Sequence, residues 1–325
     1  MKLSRSRKIL AVLATILIPA AAALAVGCHP TTHAFAPVSL GQARSSTDLD
    51  AVIDVPGPVT VETVNAADWE VDRGGLINLD HPKAKAAGLK DGPEPIQIYF
   101  HALRHPQKGL FLVDSGVERA FQSDREHAAV RGIVTSFMSP EKMKVHVDTA
   151  TWLAAQKEPL AGVFLTHLHL DHVMGLPDVP KETPVYVGPG ENRDRDTLNV
   201  VVQGVLDRAT EGLGPLREMA FSPDPTGTFA GVLDVFGDGS VWALLVPGHT
   251  NGSVAYLVRT PSGPVLLTGD TCHTSWGWNN GVEPGSFTHD RAENAVSLSR
   301  LRNLVARHPS IDVRLGHQPF AKAQP

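Results

Sequence analysis

Apolar residues in the central part of the chain form short runs separated by polar turns, and this pattern predicts a series of β-strands. The runs at 96–103 and 109–113 predict a hairpin that turns at His105-Pro106-Gln107-Lys108. Further strands are predicted at residues 160–165, 184–187, 241–246, 253–259, 265–268 and 311–315. The core is therefore expected to be built on sheets.

Helical spacing of apolar residues predicts two helices among these strands. One covers residues 192–208, and the other begins at Asp290, a good N-cap, and ends at Arg307 before His308-Pro309. Two β-rich halves that each close with helices predict an α/β fold of the αββα sandwich type. Residues 51–325 are expected to form this single domain.

The N-terminal 28 residues have the pattern of an export signal. Four basic residues precede an uncharged run at 9–26, and Gly27-Cys28 follows. Ala25-Val26-Gly27-Cys28 resembles a bacterial lipobox, which implies that Cys28 is lipidated and holds the protein at a membrane outside the cytoplasm. A secreted form and an uncleaved anchor remain alternatives, since 18 apolar residues are at the short end for a membrane span. Residues 29–50, rich in Pro, Thr, Ser and Ala, are expected to be a flexible tether.

Charge and cysteine content limit which partners and which disulfide bonds the protein is expected to have. Without the first 28 residues the chain has 25 Lys and Arg against 34 Asp and Glu, so the net charge is −9. Nucleic acid is therefore not expected as a partner, because its phosphates need a basic surface. Cys28 and Cys272 are the two cysteines. If Cys28 carries lipid there is no intramolecular disulfide, and Cys272 is expected to be a small buried residue.

A dense group of metal-binding side chains follows the run at 160–165. In His167-Leu168-His169, residues two apart share a face of an extended segment, and the following turn directs Asp171 and His172 to a second position. Imidazole and carboxylate groups suit zinc or a similar divalent ion. Farther along, three more candidate ligands each follow a predicted strand and a glycine: His249, Asp270 and His317.

With these motifs, residues 96–319 resemble the metallo-β-lactamase superfamily in its dinuclear hydrolase branch. The resemblance implies that His167, His169 and His249 bind one ion. The second ion would be bound by Asp171, His172 and His317, with Asp270 bridging the two ions. It also implies that Asp114, in Asp114-Ser115-Gly116, orients a ligand histidine, although a turn-forming aspartate after a strand is an equally good interpretation.

The resemblance implies hydrolysis of a small-molecule substrate. Two divalent ions, expected to be Zn²⁺, lower the pKa of a bridging water and so give a hydroxide nucleophile. The residues look most like those of N-acyl-homoserine lactonases, which favours opening of a lactone or cleavage of a carboxylic ester. A β-lactamase-like or thioesterase-type hydrolase and a non-catalytic metal-binding envelope lipoprotein are the alternatives, and Asp270 counts against a lactam.

The catalytic candidates are Asp171 and His273. The lactonases commonly place a Tyr three residues after the bridging Asp, where this chain has His273, so a neutral imidazole N–H of His273 is a candidate to stabilise an oxyanion. The other interpretation is that His273 packs outward or hydrogen-bonds a ligand. Trp276, Trp278 and Phe287 are candidates to line an acyl-chain pocket, or else to anchor a loop in the core.

Overall fold

The computed structural model describes residues 29–193 and 199–319. The signal segment with Cys28 lies outside the described residues, as do residues 194–198 of the helix expected at 192–208. The strands in chain order are β1 (Phe35–Val38), β2 (Gln42–Arg44), β3 (Thr60–Asp72), β4 (Pro93–His105), β5 (Gly109–Val113), β6 (Lys144–Val145), β7 (Leu160–Phe164), β8 (Val185–Val187), β9 (Leu216–Met219), β10 (Gly231–Asp234), β11 (Val241–Leu245), β12 (Val254–Thr260), β13 (Gly263–Leu267) and β14 (Asp312–Arg314).

The α-helices are mostly short and lie between strands. They cover Ser46–Val52, Arg73–Leu76, Pro82–Ala86, Ala120–Ser123, Thr135–Met138, Thr149–Ala154, Leu170–Val173, Asn199–Ala209, Ser275–Asn280 and Arg291–Arg307. Single 3₁₀ turns are found at Gly132–Val134, Pro140–Lys142, Leu176–Asp178, Glu191–Arg193 and Gly269–Thr271. In the described part of the chain, no helix is long and apolar enough to cross a membrane.

Two sheets pack face to face. Among the described residues, one sheet contains eight strands in the order β1-β9-β8-β7-β5-β4-β3-β6, and the other contains six in the order β14-β13-β12-β11-β10-β2. Alternate residues of β5 point to opposite sides. Phe111 and Val113 pack between the sheets, whereas Leu110 and Leu112 pack outward, in the same cluster as Val205 of helix Asn199–Ala209.

The second sheet follows the same rule. Val265 and Leu267 of β13 face the space between the sheets, and Leu266 packs outward in one cluster with Leu298 and Leu301 of helix Arg291–Arg307. Each sheet thus has one face on the other sheet and one face under helices. The αββα sandwich predicted from the sequence is confirmed.

Residues 29–50 differ from the flexible tether that their composition predicts. Strand β1 pairs in parallel with β9 at the edge of one sheet, and β2 pairs with β10 at the edge of the other. Helix Ser46–Val52 follows, with a capping box between Ser45 and Asp48. The tether prediction is wrong for these residues because sheet edges more than 170 positions away supply their backbone partners.

The hairpin predicted before residue 114 is also part of a longer ladder. Strand β4 pairs with β5 as predicted, and it pairs along its whole length with β3, which the sequence pattern did not reveal. A bulge between Asn65 and Ala67 interrupts the alternation in β3, which removes the regular period that would indicate a strand.

Candidate metal centre

The candidate site lies where several strands end at one edge of the sandwich. Strands β5 and β7 are parallel neighbours, and so are β13 and β14, while β11 runs in the same direction as β13 because β12 is antiparallel to both. The loops that follow these five strands carry Asp114, the segment 167–172, His249, Asp270 and His317. Side chains far apart in the sequence therefore meet at one place.

Two glycines allow the loops to approach each other closely. Gly269 has φ +51°, and a Cβ there would lie 2.8 Å from Cβ of Thr166. At Gly316 a Cβ would lie 2.1 Å from Oδ1 of Asp270, so only glycine leaves room for that carboxylate. Gly316, the residue before His317, thus leaves the space that the Asp270 carboxylate occupies.

The seven predicted ligands come together in two groups that share Asp270. One group contains His167, His169, His249 and Asp270, and the other contains Asp171, His172, Asp270 and His317. Within each group the candidate ligand atoms lie within 4.8 Å of one another. This is the division that the sequence resemblance implies.

Outer hydrogen-bond partners hold four of these rings so that Nε2 faces the centre. The Nδ1 atoms contact Thr166 Oγ1 at 3.0 Å for His167, Asp114 Oδ2 at 2.8 Å for His172, Thr288 Oγ1 at 3.2 Å for His249 and the Gln97 carbonyl oxygen at 2.9 Å for His317. A proton on Nδ1 leaves Nε2 of a neutral ring as a lone-pair donor.

Atoms at the centre lack the hydrogen-bond partners that buried polar atoms normally have. Among the described residues, His172 Nε2 and Asp270 Oδ1 are buried without any such partner. His249 Nε2 lies 3.1 Å from His167 Nε2 and 2.9 Å from His169 Nδ1. Buried acceptor atoms that converge in this way are costly unless a cation lies among them. The residues therefore fit bound metal ions.

Burial and charge shift the pKa values of the centre in opposite directions. Burial lowers the pKa of His167 and His249 well below the usual value, and that of His169 to about 4. Burial acts on His317 too, but the Asp270 and Asp171 carboxylates outweigh it and raise the pKa of His317 to about 10.

Neighbouring charges also outweigh burial at Asp270, the carboxylate that the two groups share, but they lower its pKa. Burial alone would raise the pKa of Asp270, but His317, His273 and His172 together hold it well below the usual value. Asp270 is therefore ionised at neutral pH and offers a full negative charge at the centre of the two groups.

Asp114 has the geometry expected of a residue that orients a ligand. Its Oδ2 lies 2.8 Å from His172 Nδ1, and its Oδ1 accepts a hydrogen bond from the Thr166 N–H at 2.8 Å. Asp114 adopts a left-handed backbone conformation with φ +61°, which is unusual for a residue other than glycine. One carboxylate thus connects the loop after β5 to the ligand segment after β7.

Glu191 contributes to the site in a way that the sequence analysis missed. Its side chain is 1% exposed, and it accepts hydrogen bonds from the Leu168 N–H at 2.8 Å, the Gly252 N–H at 3.0 Å and the Thr250 hydroxyl. Leu168 lies between His167 and His169, and Thr250 follows His249. Glu191 therefore joins the two loops of the first group, and its place in a polar turn gives no signal of this.

The two catalytic candidates lie at the centre. Asp171 Oδ2 is 3.1 Å from His317 Nε2, and its side chain, 16% exposed, is more open than that of Asp270, which is 3% exposed. His273 is 1% exposed, and its Nε2 lies 3.0 Å from Asp270 Oδ2. Its Nδ1 lies 3.2 Å from the Leu76 carbonyl oxygen. His273 thus faces the ligands and does not pack outward.

The three aromatic pocket candidates do not form one cluster. Trp278 is 5% exposed and belongs to the core beneath helix Arg291–Arg307, so its assignment to a pocket is wrong. Trp276 is partly buried against the other core cluster. Phe287 is 44% exposed and packs over Gly75, next to the Thr288 that contacts His249. Of the three, only Phe287 has a large exposed area near a ligand.

Cys272 is the buried small residue that the sequence analysis expects. It is 1% exposed within the core under helix Arg291–Arg307, and burial raises the pKa of its thiol to about 12. The thiol is therefore neutral at physiological pH, and the residue acts as packing beside the metal ligands.

Comparisons with known proteins agree with this geometry. The family model described as metallo-beta-lactamase superfamily matches residues 93–317. The N-acyl homoserine lactonase AttM of Azorhizobium caulinodans is 30% identical over 229 residues, which are 70% of this chain and 83% of the relative. The AttM protein of Rhizobium radiobacter is 32% identical over 231 residues, 70% of this chain and 84% of the relative.

Solved structures show the same fold. The crystal structure of a quorum-quenching N-acyl homoserine lactone lactonase superposes with a TM-score of 0.56 at 19% identity, covering 81% of this chain and 93% of the other.

Proposed function

The chain belongs to the metallo-β-lactamase superfamily, and from that premise we propose that it is a metal-dependent hydrolase that opens a lactone or cleaves a carboxylic ester. The observation that carries this proposal is the pair of ligand groups that share Asp270. The names of the AttM relatives support N-acyl homoserine lactones as the substrate class to test first.

The donor set suits two divalent ions, for which we propose Zn²⁺, since five imidazoles and two carboxylates are typical ligands of that metal. When bound, two such ions polarise a carbonyl group and supply a nucleophile at neutral pH. The residues that hold them would be His167, His169 and His249 on one side, Asp171, His172 and His317 on the other, and Asp270 between them.

Other side chains of the protein keep these ligands in fixed positions, and burial largely excludes water from them. Asp114 and Thr166 orient His172 and His167, and Glu191 holds the loops of the first group together. Asp171 lies on the more open side of the centre, which is where we propose that a substrate approaches.

We also propose that the protein is exported and carries lipid on Cys28, so that its catalytic domain works in the cell envelope. This proposal rests on the basic and apolar pattern of residues 1–28 and on the small residues before Cys28.

The proposed function is tested with a substrate panel on purified protein. N-acyl homoserine lactones of several chain lengths, p-nitrophenyl acetate and a chromogenic cephalosporin are assayed after metal removal and after reloading with Zn²⁺. We expect lactone or ester turnover only in the reloaded protein. Asp270→Ala should lose this turnover, and its circular dichroism spectrum should show that the fold is retained.

Each of the other outcomes indicates a different function for the protein. Turnover by metal-free protein contradicts the proposal, and preferred turnover of the cephalosporin makes the protein a β-lactamase. Tight metal binding without turnover of any member of the panel indicates a metal-binding lipoprotein.

A further inference from the structure

His273 stands as close to the shared carboxylate as the predicted ligands do. Its Nε2 is 3.0 Å from Asp270 Oδ2, and the corresponding distances are 3.1 Å for His317 and 3.3 Å for His172. His249 and His167 are farther from the same oxygen, at 3.5 and 3.7 Å. His273 Nε2 is thus as near to Asp270 Oδ2 as the predicted ligands are, although His273 lies outside the two groups whose ligand atoms are within 4.8 Å of one another.

The tautomer of His273 also matches that of the predicted ligands. Its Nδ1 lies 3.2 Å from the Leu76 carbonyl oxygen, which can only accept a hydrogen bond, so Nδ1 carries the proton. His317 makes the same contact with the Gln97 carbonyl oxygen. A neutral His273 therefore presents a lone pair at Nε2 and has no N–H to donate toward the centre. Metal-binding histidines usually have their second ring nitrogen held in this way.

The ring of His273 lies close to one histidine of each ligand group. Its centroid is 5.1 Å from that of His249 in one group and 5.4 Å from that of His317 in the other. The two predicted ligands His172 and His317 are separated by a similar 5.3 Å. The His317 N–H also donates to the His273 carbonyl oxygen at 3.2 Å, so the backbones of the two residues are joined.

We infer that His273 is an additional metal ligand, which binds through Nε2 on the Asp270 side of the centre. This inference rests on the proposed function only in requiring that metal ions reside at the site. It replaces the hydrogen-bond donor expected from the sequence with a nitrogen donor to metal. The competing arrangement is a doubly protonated ring that bridges the Leu76 carbonyl oxygen and Asp270 Oδ2.

The first test is a count of metal-bound rings in the Co²⁺-loaded protein. Each imidazole bound to Co²⁺ gives a strongly shifted ring N–H resonance in proton NMR, which disappears in D₂O. We expect His273→Gln to lose one such resonance relative to the wild type while the others remain. An equal number of shifted resonances in the two proteins overturns the inference.

The second test measures affinity without substrate. Metal-free wild type, His273→Ala and Thr288→Val are titrated with Zn²⁺ and Co²⁺ against a competing chelator. Thr288→Val is the matched control, because it removes an outer partner of His249 but no proposed ligand, and such losses typically cost 10–100-fold in affinity. We expect His273→Ala to lower the affinity for one of the two ions by more than about 100-fold and to alter the Co²⁺ absorption band. Thr288→Val should leave that band unchanged.

The outcomes separate this inference from the proposed function. If the wild type binds two ions and His273→Ala binds both with wild-type affinity and spectrum, His273 is not a ligand, whatever the substrate proves to be. If the wild type binds no ions, the proposed function itself fails. Thermal unfolding of the metal-free proteins shows whether the variants fold. The wild type alone also tests the inference, because it should give six shifted N–H resonances if His273 is a ligand and five if only the five predicted histidines are ligands.

Discussion

At the scale of single residues, the chemistry of the centre depends on carboxylates that bind no metal themselves. Asp114 holds His172, and Glu191 holds the backbone of the loops that carry His167, His169 and His249. Both side chains are buried, and both act through hydrogen bonds to ligands or to their neighbours. The arrangement of donors at the centre therefore depends on residues outside the ligand set.

We expect Glu191→Gln to weaken metal binding more than it weakens the fold. The substitution keeps one acceptor oxygen but turns the other end of the side chain into a donor, which then faces an N–H or hydroxyl group. The result should be a loss of about 1–3 kcal/mol of stability, together with lower Zn²⁺ affinity in a chelator competition. Glu182→Gln, at an exposed position, is the control. Unchanged Zn²⁺ affinity in Glu191→Gln would show that the hydrogen bonds to Leu168 and Thr250 do not position the ligands.

A third buried carboxylate, that of Glu118, should make stability depend on pH. Burial raises the pKa of Glu118 from 4.5 to about 7, although its side chain accepts a hydrogen bond from the Ala129 N–H. Asp178 raises this pKa further, and Arg131 opposes the rise. Between these two pH values the folded protein keeps a proton that the unfolded chain releases, so the contribution of Glu118 to the free energy of unfolding is greatest below pH 4.5 and falls as pH rises to about 7.

Glu118→Gln should remove this slope. The difference in pKa corresponds to a loss on the order of 3 kcal/mol across the interval. We therefore expect the variant to match the wild type near pH 5 and to be more stable at pH 8, as measured by urea denaturation of metal-free protein. Glu126→Gln, exposed and nearby in the chain, is the control. Parallel pH profiles for wild type and Glu118→Gln would contradict the prediction.

At the scale of elements, one helix end supports two ligand loops. The N-terminus of helix Arg291–Arg307 is capped by Asp290, whose own N–H donates to the Gly248 carbonyl oxygen at 2.8 Å. Asn294 Nδ2 donates to the Thr271 carbonyl oxygen at 3.1 Å, next to Asp270. The helix therefore fixes the positions of His249 and Asp270 relative to each other.

Gly248→Ala should disturb this junction. Gly248 has φ +130°, and a Cβ there would lie 2.2 Å from the backbone nitrogen of Asn294, so the helix end must move. Backbone strain alone costs about 1–3 kcal/mol, and we expect a further loss of metal-dependent turnover. Gly92→Ala is the matched control, since Gly92 has φ +154° but a Cβ there would meet no described atom within 4 Å. Thermal unfolding and turnover are measured for both, and equal turnover in the two variants would rule out the role of the helix end.

The elements show why the sequence predicted some strands and missed others. Strands β5, β7, β11 and β13 are buried on both faces and read as continuous apolar runs, so their positions were predicted to within one or two residues. β1 and β2 are short edge strands whose pairing depends on remote partners, which local sequence does not show. Composition therefore indicated a tether where the fold has two strands.

The candidate site likewise contains residues that the sequence predicted and residues that it missed. The seven ligand candidates were recognised because metal binding limits the residue types and the strands place them at loop starts. Glu191 was missed because a glutamate in a polar turn has no pattern of its own. Trp278 was misassigned because its closeness to Asp270 in sequence does not determine whether its ring faces the ligands or the core.

At the scale of the whole molecule, the proposed lipid on Cys28 has a direct test. We expect the wild type expressed in a bacterium to incorporate labelled palmitate and to fractionate with membranes, and Cys28→Ser to lose the label. If Cys28→Ser stays in the membrane at the mass of the uncleaved chain, residues 1–28 act as an anchor instead. Release of the unlabelled wild type into the medium would contradict lipidation and support a secreted form.

The two edge strands near the N-terminus also determine when the fold can be completed. Thr31 hydrogen-bonds Asp207, 176 positions later, and β2 pairs with β10 at Val232–Asp234. During synthesis the first described residues must wait until about two thirds of the chain has been made before either partner exists. Because contacts so distant in sequence form slowly, residues 29–50 are among the last to be ordered. Until then the outer edges of β9 and β10 remain open, and a folding chain is most exposed to pairing with another copy during that interval.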